Sequence, residues 1–244
     1  MADPAFLDRG DGVRLACVHT PGAGPTIVFL PGYMSDMEGT KALFLEDWAK
    51  TRGRAMLRLD YSGCGRSGGR FEDGSIRRWA EDARAVIAAV ATGPLLLVGS
   101  SMGGWIMLHL ALALGTRVSG LVGIAAAPDF TRWGLALTGE DMALLASQGE
   151  VHRPSRYGEA PYRYCRALIA DAETACLLDT TIPIDCPVRL LHGLADPDVP
   201  WEVSLKLAAA LRSADVQTVL VKGGDHRLSS PDQLALLSRM IESL

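Results

Sequence analysis

Gly99-Ser100-Ser101-Met102-Gly103 centres a serine between two glycines, the spacing of a sharp strand-to-helix turn that leaves a hydroxyl exposed at its tip. Flanking side chains in such a turn would collide with neighbouring backbone, so glycine is needed two residues to either side. The context agrees: the apolar run Leu95-Leu96-Leu97-Val98 precedes the turn, and an apolar helix opened by Gly103-Gly104 follows it. Ser101, rather than Ser100, is centred and is the expected nucleophile. A serine hydroxyl is a weak nucleophile at neutral pH, so it needs a histidine to take its proton and a carboxylate to orient that histidine. The expected chain order is serine, acid, histidine. Both partners follow, in His192-Gly193-Leu194-Ala195-Asp196-Pro197-Asp198-Val199-Pro200 and in Gly223-Gly224-Asp225-His226.

Among five histidines, His226 has the required position. His19 precedes the core, His109 lies within an apolar helix, His152 falls in an inserted segment, and His192 ends a strand where a structural role is expected. Asp196 and Asp198 are both candidates for the acid, and Asp196 is favoured because it sits in the tight loop directly after the strand. Asp225 is too close in sequence to His226 to orient its ring. A developing oxyanion needs backbone donors. The Met102 N–H, just after the nucleophile, supplies one, and Leu30-Pro31-Gly32-Tyr33 points to the Tyr33 N–H as the other. Gly63-Cys64-Gly65-Arg66-Ser67-Gly68 spells G-x-G-x-x-G, the pattern of a dinucleotide-binding turn. Gly69, Asp73 and Gly74 follow where a phosphate-binding helix should open, so the segment is assigned to a loop and not to NAD.

Positioning these residues requires strands that end on a common edge. An opening hairpin is expected over 5–7 and 13–18, followed by apolar runs at 26–30, 55–59, 94–98, 120–125, 188–191 and 216–221 without polar alternation, as in parallel strands covered on both faces. Helical spacing over 41–51, 75–91, 102–115, 201–212 and 231–242 alternates with them. The fold class is therefore α/β, a doubly wound, mostly parallel sheet. The core covers 1–127 and 187–244, and 128–186 forms a mostly helical cap inserted within one folding unit. The cap offers Trp133, Leu135, Leu137 and Leu144 as walls for an apolar acyl group. Arg153, Arg156, Arg163 and Arg166, with Tyr157, Tyr162 and Tyr164, form a basic cluster that could hold a substrate carboxylate; Trp133, Arg153, Arg156 and Tyr157 are its candidate substrate contacts.

The chain has 244 residues, Lys+Arg 24 against Asp+Glu 28, and 48% hydrophobic residues. These describe one globular unit with an ample core and no basic block for nucleic acid. The five irregularly spaced cysteines fit neither a disulfide framework nor a zinc site, and a reducing compartment is expected. Residues 85–116 carry no Asp, Glu, Lys or Arg, but Gly and Pro divide them into pieces too short to cross a bilayer, so no stable membrane insertion is expected. Met1-Ala2-Asp3-Pro4 resembles neither a secretory signal nor a transit peptide, which gives a cytoplasmic expectation.

The Gly-x-Ser-x-Gly turn, the segment Asp60-Tyr61-Ser62-Gly63-Cys64-Gly65-Arg66-Ser67 and His192-Gly193-Leu194-Ala195-Asp196 together resemble the α/β-hydrolase superfamily over nearly the whole chain. Pro31-Gly32-Tyr33-Met34-Ser35, Gly39-Thr40-Lys41-Ala42-Leu43, residues 99–105 and Val199-Pro200-Trp201 are similar to its mitochondrial branch of palmitoyl-protein thioesterases and acyl-glucuronide esterases. The resemblance implies Ser101, Asp196 and His226 as a triad and hydrolysis of thioesters or activated acyl esters. The expectation is a serine esterase or thioesterase working through an acyl-enzyme, without metal or cofactor, on a small acyl ester or thioester or an acylated protein. The alternatives are a non-catalytic small-molecule receptor on the same fold, a perhydrolase or a C–C hydrolase.

Overall fold

A computed structural model describes residues 3–244; Met1 and Ala2, read above for a targeting signal, lie outside the described residues. In chain order the core runs β1 (Ala5–Asp8), β2 (Arg14–Thr20), β3 (Ala23–Leu30), α1 (Thr40–Thr51), β4 (Arg54–Leu59), α2 (Ile76–Val90), β5 (Leu95–Ser100), α3 (Met102–Leu114) and β6 (Val118–Ile124). The cap then inserts α4 (Phe130–Trp133), α5 (Gly139–Gln148), β7 (Glu150–Arg153), β8 (Tyr162–Cys165) and α6 (Arg166–Ala175). The core resumes with β9 (Val188–Gly193), α7 (Glu202–Ala210), β10 (Val216–Val221) and α8 (Pro231–Glu242).

The main sheet has the order β1-β2-β4-β3-β5-β6-β9-β10. The β1/β2 and β2/β4 pairs are antiparallel, and every pair from β4 to β10 is parallel. Neighbouring side chains of one strand feed opposite layers: Ile27 packs with Leu45, Leu237 and Ile241 from α1 and α8, whereas Val28 packs with Trp79, Trp105 and Leu207 from α2, α3 and α7. Two-sided cover explains the continuous apolar runs. β10 differs: it is the sheet's edge, and its side chains remain half-buried or exposed. The charge-free stretch contributes α3, whose residues 102–108 are all buried in the core, and no helix among the described residues is long and apolar enough to cross a membrane.

From β3 the chain turns to β4 on one side, and from β5 to β6 on the other. Such a reversal opens a crevice at the carboxyl ends of the two central strands, where ligands of open α/β sheets bind. The cap roofs this edge. Its α6 packs Leu168, Ala172 and Ala175 into the same core as α2 and α3, and the buried Asp129 carboxylate caps its exit by accepting from the Leu177 and Leu178 N–H groups at 2.9 and 2.8 Å. The antiparallel β7/β8 pair is not foreseen by the sequence reading. Glu-Val-His-Arg and Tyr-Arg-Tyr-Cys are four-residue, charge-bearing strands, too short and polar to resemble core strands.

Candidate active site

Steric necessity builds the Ser101 turn. A Cβ on Gly99 would lie 2.4 Å from the Gly103 carbonyl oxygen, and one on Gly103 would lie 2.1 Å from the Leu30 carbonyl oxygen. Any side chain at either position would drive strand and helix apart. Ser101 itself sits at φ 54° and ψ −122°, a conformation costing a non-glycine residue on the order of 1–3 kcal/mol. Removing the hydroxyl with and without the Cβ isolates this strain. Ser101→Gly is expected to melt above Ser101→Ala by the equivalent of about 1 kcal/mol, the relief being partly offset by the entropy of an unfolded glycine. Equal or reversed melting temperatures would show that the turn stores no strain.

The loops that carry Asp196 and His226 meet because glycine lets their backbones touch. A Cβ on Gly193 would lie 2.1 Å from the Gly224 carbonyl oxygen, and that oxygen accepts from the Ala195 N–H at 2.9 Å. This contact brings Asp196 Oδ2 to 2.8 Å from His226 Nδ1, and His226 Nε2 to 3.1 Å from Ser101 Oγ. A carboxylate facing Nδ1 assigns the proton to that nitrogen and leaves the Nε2 lone pair for the serine hydroxyl. The other Asp196 oxygen accepts from the Asp198 and Val199 N–H groups at 2.8 and 2.9 Å.

The Asp196 side chain is fully buried. Desolvation alone would raise its pKa, but hydrogen bonds from His192 and His226, the charge of His226 and the Val199 N–H outweigh that and hold the carboxyl well below the usual range. His192 is also fully buried, with Nδ1 2.6 Å from Ser204 Oγ and Nε2 3.0 and 3.2 Å from the Val199 carbonyl and Asp196 Oδ2. Both neighbours of Nε2 are acceptors, so Nε2 carries the proton and supports Asp196 from behind.

Asp198 faces the cap. It accepts from the Tyr157 hydroxyl, and Arg156 Nε lies 3.6 Å from it. Asp196, Asp198 and His226 could jointly present ligand atoms within 4.8 Å of one another, but Asp196 and His226 already satisfy each other. Gly32 lies directly over the serine: a Cβ there would be 3.3 Å from Ser101 Cβ. This puts the loop carrying the Tyr33 N–H beside Ser101. The Met102 N–H, at the first position of α3, has no partner within its helix and lies at the positive end of the dipole.

A cavity of about 1050 Å³ opens over Ser101 and His226, with Tyr33 and Met102 on its wall. Of the cap residues expected there, Trp133, Leu135, Arg153, Arg156, Tyr157, Tyr162 and Tyr164 line it, and Leu137, Leu144, Arg163 and Arg166 do not. Arg163 is held instead by Glu150 and Glu72, and Arg153 pairs with Asp141 at 2.6 Å while still reaching the cavity. Tyr157 lays its ring near the His226 imidazole, centroids 6.3 Å apart, with the Arg227 guanidinium 4.5 Å from its centre.

Sequence reasoning missed Lys41 and Arg227. Lys41 lines the cavity and donates from Nζ to the Arg227 carbonyl at 2.5 Å. Burial brings its ammonium down to about 8, against the pull of Asp225 and with help from Arg227. A lysine in the first turn of α1, at the wrong end of the helix dipole, was the available signal.

The chain belongs to the alpha/beta hydrolase family, whose model matches residues 27–236. It is 42% identical to the mouse protein named "Palmitoyl-protein thioesterase ABHD10, mitochondrial" over 246 aligned residues, covering 100% of this chain and 82% of the relative. The solved structure of mouse alpha/beta hydrolase domain-containing protein 10 superposes with TM-score 0.91 over 99% of this chain and 98% of that one, at 42% identity. A protein from Agrobacterium vitis S4 superposes with TM-score 0.92 at 41% identity, covering 98% and 97% of the two chains. The mouse, bovine and human relatives are all named mitochondrial, and this corrects the cytoplasmic expectation, which rested only on the character of the first few residues.

Proposed function

We propose that this protein is a serine hydrolase of acyl thioesters and carboxylic esters, including fatty-acylated cysteine of the kind named for its mammalian relatives. The observation that carries the reading is the Asp196–His226–Ser101 hydrogen-bonded chain ending in an aromatic-lined cavity. Ser101 Oγ attacks the acyl carbonyl while His226 Nε2 takes its proton, and the oxyanion is held by the Tyr33 and Met102 N–H groups. Collapse breaks the bond to the leaving thiol or alcohol, which departs with the proton from His226. Water, deprotonated by the same nitrogen, then attacks the acyl-serine and releases the carboxylic acid. No step calls on a metal or cofactor. Trp133, Leu135 and Tyr164 form the wall for the acyl chain, and Arg153, Arg156 and Tyr157 stand where the leaving group exits.

A panel of thioesters and oxygen esters of graded acyl length, run beside a fluorophosphonate probe, tests the reading. The expected result is labelling at Ser101 with turnover of both classes. Labelling without consumption of any ester would instead describe a receptor, and turnover confined to peracid formation or C–C cleavage would move the chemistry. Within the panel, Arg156→Met is expected to raise KM about 2- to 5-fold for an ester with a carboxylate in its leaving group, the scale of an exposed ion pair. Its methyl ester should be unaffected; equal changes for both would remove Arg156 from substrate binding.

A further inference from the structure

The end of β4 and the two residues directly after it carry three side chains that the chemistry above leaves unused, and all three grip one loop. Arg58, 2% exposed, donates from Nη1 to the Met37 carbonyl at 2.5 Å and from Nη2 to Glu46 Oε2 at 2.6 Å. Asp60, 1% exposed, accepts from the Met37 N–H at 2.7 Å through Oδ1 and from the Arg66 N–H at 2.8 Å through Oδ2. The fully buried Tyr61 donates from its hydroxyl to the Pro31 carbonyl at 3.2 Å. Residues 31–37 are thus pinned at both ends by a single strand terminus. Between the pins lie Gly32, pressed against Ser101, then Tyr33, then Met34 at φ 53°.

A left-handed non-glycine residue persists only where its surroundings over-determine it. A free loop would relax and turn the Tyr33 N–H away. A buried ion pair such as Arg58–Glu46 is also a poor source of stability, because its desolvation cost offsets the attraction, and apolar residues of similar volume often do as well. The arrangement is costly in another respect, since Arg58 Nε is buried without a partner. Charges kept at such cost serve geometry better than stability.

We propose that Arg58, Asp60 and Tyr61 are positioning residues for the reaction, fixing residues 31–37 so that the Tyr33 N–H meets the developing oxyanion. The inference rests on the reading of Tyr33 as an oxyanion donor. It makes the carboxyl end of β4 and the residues directly after it, which contribute no group to the nucleophile, acid or base, a determinant of transition-state binding. The pins reach this loop only through its main chain, at the Pro31 carbonyl and at the Met37 N–H and carbonyl, so their effect is expected chiefly on kcat.

The test uses Tyr61→Phe and Asp60→Asn in the full chain. It compares kcat and KM for one short-chain thioester with inhibition by a boronic acid of the same acyl group, which adds the Ser101 hydroxyl and becomes a tetrahedral anion, and by the product carboxylate. The expected result is a fall in kcat of about 10-fold for Tyr61→Phe, and of 10- to 100-fold for Asp60→Asn, with KM within 2-fold. Boronate Ki should rise by the same factor that kcat/KM falls, and the carboxylate Ki should not change. Unchanged kcat, or a lower kcat with unchanged boronate Ki, overturns the proposal. Should Asp60→Asn fail to fold, Tyr61→Phe, which removes one oxygen atom, still decides the matter. Ser101→Ala run alongside separates the two readings: an active Ser101→Ala defeats the mechanism itself, whereas an inactive one beside fully active Tyr61→Phe and Asp60→Asn defeats only this inference.

Discussion

Ser101→Ala is expected to lower kcat on a thioester by about 10⁴- to 10⁶-fold, while its far-ultraviolet circular dichroism matches that of the unmodified chain. The Ser101 side chain makes a hydrogen bond to His226, and the turn's shape is enforced by Gly99 and Gly103, so the fold loses little with the hydroxyl. His226→Ala should cost as much, and the double variant no more than either single one, because nucleophile and base act as one unit. His192→Ala should chiefly lower the melting temperature, since that ring fills a fully buried site among Ser204, Val199 and Asp196. A Ser101→Ala protein that still turns over at a comparable rate would end the acyl-enzyme mechanism.

Asp196→Asn is expected to reduce kcat by about 10⁴-fold. An asparagine amide offers an N–H to His226 Nδ1, which transfers the ring proton to Nε2, where it faces Ser101 and blocks proton abstraction. Asp198→Asn should change kcat little, because Asp198 is occupied by the Tyr157 hydroxyl; reversed effects would move the role to Asp198. The same substitution has a signature in stability. The folded Asp196 carboxyl lies below the ordinary value of about 4. Its ionisation therefore stabilises the native state above that value, and the contribution is lost as pH falls toward the folded pKa. Urea midpoints of the unmodified chain should accordingly fall more steeply below about pH 4.5 than those of Asp196→Asn. Parallel acid limbs would show that Asp196 is not held ionised by its neighbours.

The turn around Ser101 was legible because its two glycines, one two residues either side of the serine, are forced by contacts of 2.1–2.4 Å that any Cβ would make, and glycine is the one residue type that meets such a demand. The alternation of apolar strands and amphipathic helices was legible for the same kind of reason, since two-sided burial writes itself into consecutive residues such as Ile27 and Val28. Separating Asp196 from Asp198 is harder. They stand two residues apart in one loop, and only the meeting of Gly193 with Gly224 turns one toward His226 and leaves the other to the cap. The cap hairpin escaped notice because its strands owe their pairing to partners a dozen residues away, as Val151 to Tyr164, and not to an apolar period. Pairing of Arg163 with Glu72, which lies far off in sequence, likewise leaves no local trace, so a cluster of cap arginines looked freer than it is.

Tyr33 belongs to two parts of the molecule at once. Its backbone lies beside Ser101, while its ring stacks on Tyr164 at 5.2 Å and its hydroxyl donates to the Arg163 carbonyl of β8. The roof is for that reason not an interchangeable module. Transplanting residues 128–186 from a relative to alter acyl preference would replace the surface against which Tyr33 is braced, so specificity and rate would be inherited together. A productive chimera has to carry the residue-33 loop with its roof, and recombination boundaries for engineering this scaffold should be drawn through that pair of segments instead of at the ends of the insertion.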